Sequence, residues 1–427
     1  MTTKLQYLFD PDVEGTEVPL ATRAGDLVFY GGGMAGHPER GVPEGVRAFD
    51  GYPNHWSQVN RELHQIYDKM SRVLEQTDSG LDQILKINSA HTHAEDVFEA
   101  LRLRPEFFGE NPPPSTLVLT PELLVRDARV LVDQIALCRS SEYPREALTD
   151  STEGAPMPPH QRIWGKTIYS KATRGGGFIF TSGRTNNVIG GADDEHLKRD
   201  PDLPYKQDHA EISCRLMMRY LEDVLSSYGA DFSHVVRVEI HLNDMHQIAA
   251  INRVWEDLFG DDYPARIFVP STFPTPYTTM EIELIAIDPN GPWEKKTYAL
   301  PNKQANTLGF YEPLAVKAGP YVFFSGLSAT DYEHGLAKQA QVHSAYPFHE
   351  CRVHKELAYI RQLTAQVGEF QNVRAKFMSA DLHQYPLFKS AWEKEFGALV
   401  PTSVFKTSGP LPVPDTAFQL DLIGWAP

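Results

Sequence analysis

The chain has 427 residues, of which 41% are hydrophobic and 22% are charged, as is common for soluble globular proteins. Its formal net charge of −16 argues against a surface for nucleic acid or anionic membrane, which would need clustered Lys and Arg. The amino-terminal residues lack the apolar core of a signal peptide, and no apolar run approaches the roughly eighteen residues of a membrane helix.

The sequence repeats one series of predicted elements three times. Each copy has a strand that ends in small residues, an amphipathic helix, a strand, a second helix that ends in Phe-Gly, and two closing strands. The opening strands end at Gly31-Gly32, Ser182-Gly183 and Ser325-Gly326, and the second helices end at Phe108-Gly109, Phe259-Gly260 and Phe396-Gly397. A glycine there suits the left-handed conformation that often follows a helix. The final strands begin near Val130, Met280 and Phe418.

The long first helix of each copy has apolar residues at i, i+4 and i+7, which predicts one face packed on a sheet. These residues are Val59, Leu63, Ile66, Met70 and Val73; Ile212, Leu216, Tyr220 and Val224; and Val353, Leu357, Ile360 and Leu363. The Pro-, Ser- and charge-rich residues 139–163 and the shorter segment 288–292 are interpreted as linkers. We therefore predict three α+β units, over residues 1–138, 160–289 and 298–427, each a sheet backed by two helices.

The segment from Tyr263 to Asp288 carries charged residues on predicted strands. Arg266 lies on the first strand, and the second strand alternates apolar residues with Glu281 and Glu283, which therefore share one face. Arginine and carboxylate side chains are costly to bury unless they meet a partner. The pattern predicts either a charged pocket on a sheet or a structural salt bridge.

Residues 160–289 resemble the RidA (YjgF-type, reactive intermediate deaminase) family at five separated positions. The matching features are Pro264-Ala-Arg266 with Glu281 fifteen positions later, Phe178 to Gly183 as a strand ending in Ser-Gly, Val236 to Asp244 followed by Asn252 near a helix start, and Tyr169 at the family's spacing before Ser182. RidA-like proteins are trimers whose sheets close around a central barrel, with ligand pockets between neighbours. Three copies in one chain therefore resemble an intramolecular pseudo-trimer, and the sequence leaves open whether it is a monomer or a homodimer.

The three units differ at the positions that the resemblance singles out. Alignment of the copies places Ser115 and Ser403 where the second unit has Arg266, and Leu131 and Gln419 where it has Glu281. The position of Glu283, in contrast, holds an acid in all three units, namely Asp133 and Asp421. We therefore interpret Glu281 as the functional carboxylate, Glu283 as a structural one, and the sites of units one and three as degenerate.

The resemblance implies a hydrolytic deaminase that converts a reactive imine or enamine carboxylic acid to keto acid and ammonia. In that interpretation Arg266 holds the substrate carboxylate and Glu281 handles water and protons, with no metal or cofactor. The remaining residues of the predicted site are Ser182, Gly183 and Asn252, which would orient the substrate; Tyr169, which would close the pocket; and Arg184, either a second carboxylate ligand or a surface arginine.

Several alternatives stay open. Tyr169 and Ser182 could face a different cleft from Arg266 and Glu281, and either unit one or unit three could complete the cleft. The pocket could belong to a non-catalytic carboxylate-binding or scaffold protein, or serve isomerisation or cyclisation. No metal site is predicted, because no third ligand recurs near His91 and His93 at suitable spacing. The widely spaced cysteines, Cys138, Cys214 and Cys351, predict reduced thiols in a cytoplasmic protein.

Overall fold

The computed structural model describes residues 5–11, 17–47, 57–149, 162–163, 166–186, 209–275, 277–301, 308–343 and 349–427. Within these ranges the strands form three similar sheets and one separate two-stranded pair. Each large sheet combines antiparallel pairs with one parallel pair, and two long helices accompany it along the chain.

The first sheet is built by β1 (Gln6–Leu8), β2 (Ala21–Ala24), β3 (Leu27–Gly33), β4 (Ile84–His91), β5 (Ser115–Leu119) and β6 (Val130–Leu137). Its strand order is β1-β2-β3-β6-β4-β5. Its helices are α1 (Gln58–Glu75), which precedes β4, and α2 (Val97–Phe108), which connects β4 to its parallel neighbour β5.

The second sheet has the same plan. Its strands are β7 (Glu146–Leu148), β10 (Ala172–Gly175), β11 (Phe178–Thr181), β12 (Arg184–Thr185), β13 (Val235–Leu242), β14 (Ala265–Pro270) and β15 (Met280–Ile287), while β8 (Arg162–Ile163) and β9 (Lys166–Thr167) pair separately. The order is β14-β13-β15-β11-β10-β7, with β12 also paired to β15. Its helices are α3 (His209–Ser226) and α4 (Ile248–Phe259).

The third sheet follows the order β16-β17-β18-β21-β19-β20. Its strands are β16 (Lys295–Tyr298), β17 (Ala315–Ala318), β18 (Tyr321–Phe324), β19 (Gln371–Ser379), β20 (Thr402–Lys406) and β21 (Gln419–Trp425). Its helices are α5 (His349–Thr364) and α6 (Tyr385–Glu395). Three α+β units of like topology were predicted, and this level of the fold is confirmed.

Two edge strands begin before the predicted unit starts. β7 lies inside residues 139–163, which were interpreted as a linker, yet it pairs with β10 as the edge of the second sheet. β16 begins at Lys295 and pairs with β17. Strands of three and four residues are too short to give an alternation pattern, so the sequence offered no signal for them. The exact domain bounds stay a prediction.

The helices bury mostly the residues expected from their periodicity. The predicted residues of α1 and the predicted residues of α5 are all buried. In α3, however, Ile212, Leu216 and Tyr220 are only partly buried, and the core contact is made by Cys214, Met217, Met218, Leu221, Val224 and Leu225. The predicted residues of α3 lie mostly on the flank of the helix. Apolar residues occur both on that flank and on the face that packs against the core, so periodicity alone did not distinguish them. None of the helices described is long and apolar enough to cross a membrane.

The faces of the sheets opposite to the helices meet in one apolar cluster. It includes Phe29 and Ile135 from the first sheet, Phe178 and Ile285 from the second, and Tyr321, Phe323 and Ile423 from the third. The Phe178 ring centroid lies 5.5 Å from that of Tyr321 and 5.8 Å from that of Phe323. In the described part of the chain the strands form three separate sheets rather than the expected closed barrel.

A charged layer lies beside this apolar cluster, and a bulge in each sheet positions it. Irregular pairing in β4, β13 and β19 turns Lys86, Arg237 and Arg374 to the inner face next to the preceding apolar residue. Each cation pairs with an acid of another sheet: Lys86 with Glu283 at 2.9 Å, Arg237 with Asp421 at 2.7 Å, and Arg374 with Asp133 at 3.2 Å. The three acids assigned a structural role thus form a cycle of ion pairs that joins all three sheets.

Candidate active site

Three clefts lie where one sheet meets the next. In the first cleft, the backbone N–H of Gly183 donates to the Ser115 carbonyl at 2.9 Å, which joins unit two to unit one. In the second, the N–H of Gly326 donates to the Arg266 carbonyl at 3.0 Å, which joins unit three to unit two. In the third, the N–H of Gly32 donates to Ser403 Oγ at 3.1 Å, which joins unit one to unit three.

The strand register corrects one predicted equivalence between the units. Lys86, Arg237 and Arg374 occupy equivalent positions in the three sheets. The residues that follow them in sequence pair, on the parallel neighbouring strand, with Ser115, Arg266 and Thr402. Thr402, and not Ser403, therefore stands where the second unit has Arg266. The reason is a connection shortened by one residue: Thr402 is the sixth residue after Phe396, whereas Ser115 and Arg266 are the seventh after Phe108 and Phe259. Counting from the Phe-Gly pair therefore overshoots by one.

Arg266 is part of a buried cluster in the second cleft. Its side chain is 1% exposed and lies over the rings of Phe268 and Trp255, on the helix side of the sheet. Nη2 donates to Asn252 Oδ1 at 2.7 Å and to Glu312 Oε2 at 2.8 Å. Nε and Nη1 have no hydrogen-bond partner among the described residues. Glu312 belongs to unit three, so an internal carboxylate already neutralises this arginine.

Glu281 lies on the other face of the same sheet. β13 separates β14 from β15, and Val238 of β13 pairs with Arg266 on one side and Leu284 on the other. Glu281 pairs with His241, three residues farther along β13, and side chains at odd spacing point to opposite faces. The hypothesis of an opposed Arg266–Glu281 pair is therefore wrong, because sheet order and alternation direct the two groups into different clefts.

The Glu281 carboxyl group is enclosed in the first cleft. It is 4% exposed, and Oε2 has no hydrogen-bond partner in the described part of the chain. Burial raises the pKa of Glu281 to about 8, against the opposing effect of the Lys86 ammonium, and the neighbouring Glu283 raises it further. The backbone N–H of Leu117 donates to the carboxyl group and lowers the pKa. At neutral pH this buried acid is mostly protonated.

Gly183 and Ser182 form the wall of the first cleft beside Glu281. A Cβ atom at Gly183 would collide with Glu281 Oε1 and with Thr116 Oγ1, so a larger residue would displace the Glu281 carboxyl group. Ser182 Oγ donates to the Ser170 carbonyl at 2.7 Å and accepts from the Ser115 N–H at 2.9 Å. The serine hydroxyl thus joins units two and one.

Two other predicted residues lie elsewhere. Asn252 belongs to the second cleft, where Nδ2 donates to the Gly309 carbonyl at 2.6 Å and Oδ1 accepts from Arg266. Arg184 of β12 stacks on the Tyr220 ring of α3, with 4.3 Å from guanidinium carbon to ring centroid. The structure therefore brings together Glu281, Gly183 and Ser182 from the predicted set, and separates them from Arg266 and Asn252.

One charged residue of the first cleft was missed by the sequence analysis. Arg104 of α2 is 3% exposed; burial lowers its pKa, whereas nearby Tyr67, Tyr169 and Glu281 raise it. Tyr169 is thereby placed in the first cleft with Glu281. Arg104 forms no ion pair with any described residue. Its signal was present in the sequence: Trp255 and Trp392 are the eighth residues of α4 and α6, and Arg104 is the eighth residue of α2.

In the third cleft the backbones of units one and three approach closely, and the positions of Glu281, Arg266 and Arg104 hold Leu131, Thr402 and Trp392. Gly32 has a φ of 70°, and a Cβ there would strike the Thr402 carbonyl. Ser403 Oγ donates to Asp133, and Leu131 occupies the position of Glu281. Among the described residues no group of three His, Cys, Asp or Glu side chains is arranged to hold a metal ion.

The fold defines a tandem α+β protein with clefts between its units, two of which contain a buried carboxyl group and a buried arginine. A family model described as Endoribonuclease L-PSP matches residues 160–288. A RutC family protein of Pyrococcus abyssi is 28% identical over 141 residues, covering 32% of this chain and 92% of that protein. The mitochondrial protein mmf2 of Schizosaccharomyces pombe is 30% identical over 105 residues, covering 24% of this chain and 70% of that protein.

The chain belongs to this Endoribonuclease L-PSP family, and the resemblance to RidA and YjgF proteins is confirmed. Among solved structures, Rv2704 of Mycobacterium tuberculosis, a member of the YjgF/YER057c/UK114 family, is 23% identical, covers 34% of this chain and 98% of its own, and has a TM-score of 0.25. A chorismatase is 10% identical, covers 80% of this chain and 93% of its own, and has a TM-score of 0.46.

Proposed function

We propose that the first cleft hydrolyses the C=N bond of a reactive imine or enamine carboxylic acid, giving keto acid and ammonia. The observation that carries this proposal is the buried Glu281 carboxyl group, with one unpartnered oxygen, a pKa of about 8 and the Ser182-Gly183 wall beside it. An acid that titrates near neutral pH is suited to both giving and taking a proton.

The chemistry needs only water and proton transfers. Protonated Glu281 donates to the imine nitrogen while water adds to the carbon, and the resulting carboxylate takes a proton from the added oxygen. The regenerated acid then protonates the amino group of the carbinolamine, the C–N bond breaks, ammonia leaves, and the oxygen gives its proton back as the carbonyl forms. An enamine enters this sequence after protonation of its carbon. Enclosure keeps the reacting groups in position.

We propose the first cleft rather than the second because the second cleft has lost the matching acid. Gln419 stands at the position of Glu281 there, and its Nε2 donates to the Phe268 carbonyl at 3.1 Å. Glu312 stands where the first cleft has Tyr169 and pairs with Arg266. An amide cannot exchange protons as a carboxyl group does, and the arginine is already neutralised.

The proposal includes the arrangement of the three units as a covalent pseudo-trimer. Support comes from the apolar cluster shared by all three sheets and from the cycle of ion pairs between them. Each cleft then takes one wall from each of two units. Linking the units in one chain makes their association intramolecular, so that a cleft forms without a concentration requirement.

The test is the Glu281→Gln variant, which keeps the size of the side chain and removes its proton transfer. The imine is generated in situ by an amino-acid oxidase, and both ammonia and keto acid are measured. Turnover should fall by about 10²- to 10⁴-fold, the usual contribution of a general acid–base group. The matched control is Gln419→Ala, which removes the equivalent side chain of the second cleft and should leave turnover unchanged.

Equal turnover by the wild type and the Glu281→Gln variant would reject the proposed function. A carboxylate-binding protein without catalysis, the alternative kept from the sequence, would release no ammonia above the spontaneous rate in either protein. Its affinity for a small carboxylate would also persist in the variant.

A further inference from the structure

The second cleft shows how a strand residue and a helix residue share one space. Arg266 of β14 and Trp255 of α4 are in contact, with 5.2 Å from the guanidinium carbon to the ring centroid. Asn252, one turn earlier on α4, completes the arginine's surroundings with its amide oxygen 2.7 Å from Nη2. Side chains at these strand and helix positions therefore reach the same part of a cleft.

In the first cleft the arginine stands at the helix position instead of the strand position. Ser115 stands at the strand position of Arg266, and Arg104 stands at the helix position of Trp255. Serine is much smaller than arginine, so the strand leaves room that a long side chain from α2 can enter. Ser115 Oγ is itself buried without a hydrogen-bond partner among the described residues. The cation of the first cleft therefore lies on the helix of its unit, whereas the cation of the second cleft lies on the strand.

The surroundings of Arg104 lack the counter-ion that Arg266 has. Tyr67, Tyr169 and Glu281 face it, but none of them forms a direct ion pair with it in the described part of the chain. His91 lies nearby with a buried, unpartnered Nδ1, and burial lowers its pKa to about 3, so the imidazole is neutral. A buried cation without an anion is costly, and an incoming anion relieves that cost.

We propose that Arg104 binds the carboxylate of the substrate in the first cleft, with Glu281 at the C=N end of the same molecule. This inference rests on the proposed function and adds the residue, on α2 of unit one, that recognises the substrate carboxylate beside the reacting carbon. Glu281 acts electrostatically on Arg104, and the two side chains form no ion pair among the described residues. A guanidinium can hold both carboxylate oxygens.

The first test is the Arg104→Met variant, which keeps an unbranched side chain and removes the charge. With an imine made by an amino-acid oxidase, KM should rise by about 10- to 100-fold, the loss expected for a charge-assisted contact, with a smaller change in kcat. With an imine made by an amine oxidase, which has no carboxylate, the variant should match the wild type. An equal loss on both imines, or no change in KM on the first, would overturn the inference.

The second test does not depend on catalysis. Calorimetric binding of pyruvate, a 2-oxo acid of the product class, is compared in the wild type, Arg104→Met, Arg104→Lys and the second-cleft variant Arg266→Met/Glu312→Gln. Affinity should fall in Arg104→Met, recover in part in Arg104→Lys, and stay unchanged in the second-cleft variant. Unchanged affinity in Arg104→Met would overturn the inference even if Glu281 proves catalytic. Affinity that falls as expected supports it even if no imine is turned over.

Folding of the Arg104→Met variant is checked by its melting temperature. Removing a buried, unpaired charge should leave the protein at least as stable as the wild type. If Arg104 instead served only to hold α2 in place, Arg104→Met would lower the melting temperature and would affect the two imines alike, which contradicts the proposed role.

Discussion

The proton of the Glu281 carboxyl group affects the stability of the fold as well as the proposed chemistry. Its pKa is about 8 in the folded protein, against an ordinary value of 4.5. A group with a raised pKa favours the folded state while it is protonated. Its stabilising effect is therefore complete below pH 4.5 and is lost as the pH rises towards 8.

The Glu281→Gln variant should lack this pH dependence, because an amide does not ionise. Relative to the wild type, the variant should gain stability as the pH rises from 5 to 9, by about 4 kcal/mol at the alkaline end, because each unit of the pKa difference corresponds to about 1.4 kcal/mol. Chemical denaturation at several pH values measures the difference. A wild-type curve parallel to that of the variant over this range would show that Glu281 titrates normally.

The second cleft offers a contrast at the same scale, since Arg266 and Glu312 neutralise each other there. Glu312→Gln alone should cost about 3–5 kcal/mol in free energy of unfolding, because it leaves the buried guanidinium unpaired. The double variant Arg266→Met/Glu312→Gln should recover most of that loss and leave the proposed deaminase turnover of the first cleft unchanged. A loss of turnover in the folded double variant would place the reaction in the second cleft.

At the scale of single elements, the sequence defined most of the secondary structure but not the pairing of charges. The alternation in β15 correctly gave Glu281 and Glu283 one face and Met280, Ile282 and Leu284 the other. The Phe-Gly pairs also gave three left-handed glycines, Gly109, Gly260 and Gly397. Such local patterns depend on near neighbours only, and the sequence carries them completely.

The site was harder to predict because it depends on strand order and on contacts between units. Nothing in the linear order of β13, β14 and β15 reveals that β13 lies between the other two and that Arg266 and Glu281 point to opposite faces. Arg104 was overlooked because a lone arginine on a helix usually faces solvent. Its significance emerges only when α2 and α4 are aligned by their helical positions, where it replaces Trp255.

At the scale of the whole molecule, the shared apolar cluster predicts how the chain unfolds. Phe178 contacts Tyr321 and Phe323 of the third sheet, so the units have no separate inner cores. Phe178→Ala should cost about 3–5 kcal/mol and shift the entire unfolding curve. Circular dichroism and tryptophan fluorescence should give coincident transitions. Two or more separate transitions, only one of which moves in the variant, would indicate independent units.

The buried arginine lies on strand β14 in the second cleft and on helix α2 in the first, and this difference bears on how such a chain can diversify. In an assembly of identical subunits every substitution is repeated in all sites, so an arginine on the helix would impose the stability cost of a buried cation three times. Here each crevice is lined by two units with different sequences. A substitution in one unit therefore alters only the crevices which that unit lines. One recess can therefore acquire Arg104 while another is sealed by Glu312 and a third is closed by glycine backbone. In a fused chain the three recesses can therefore acquire different binding residues.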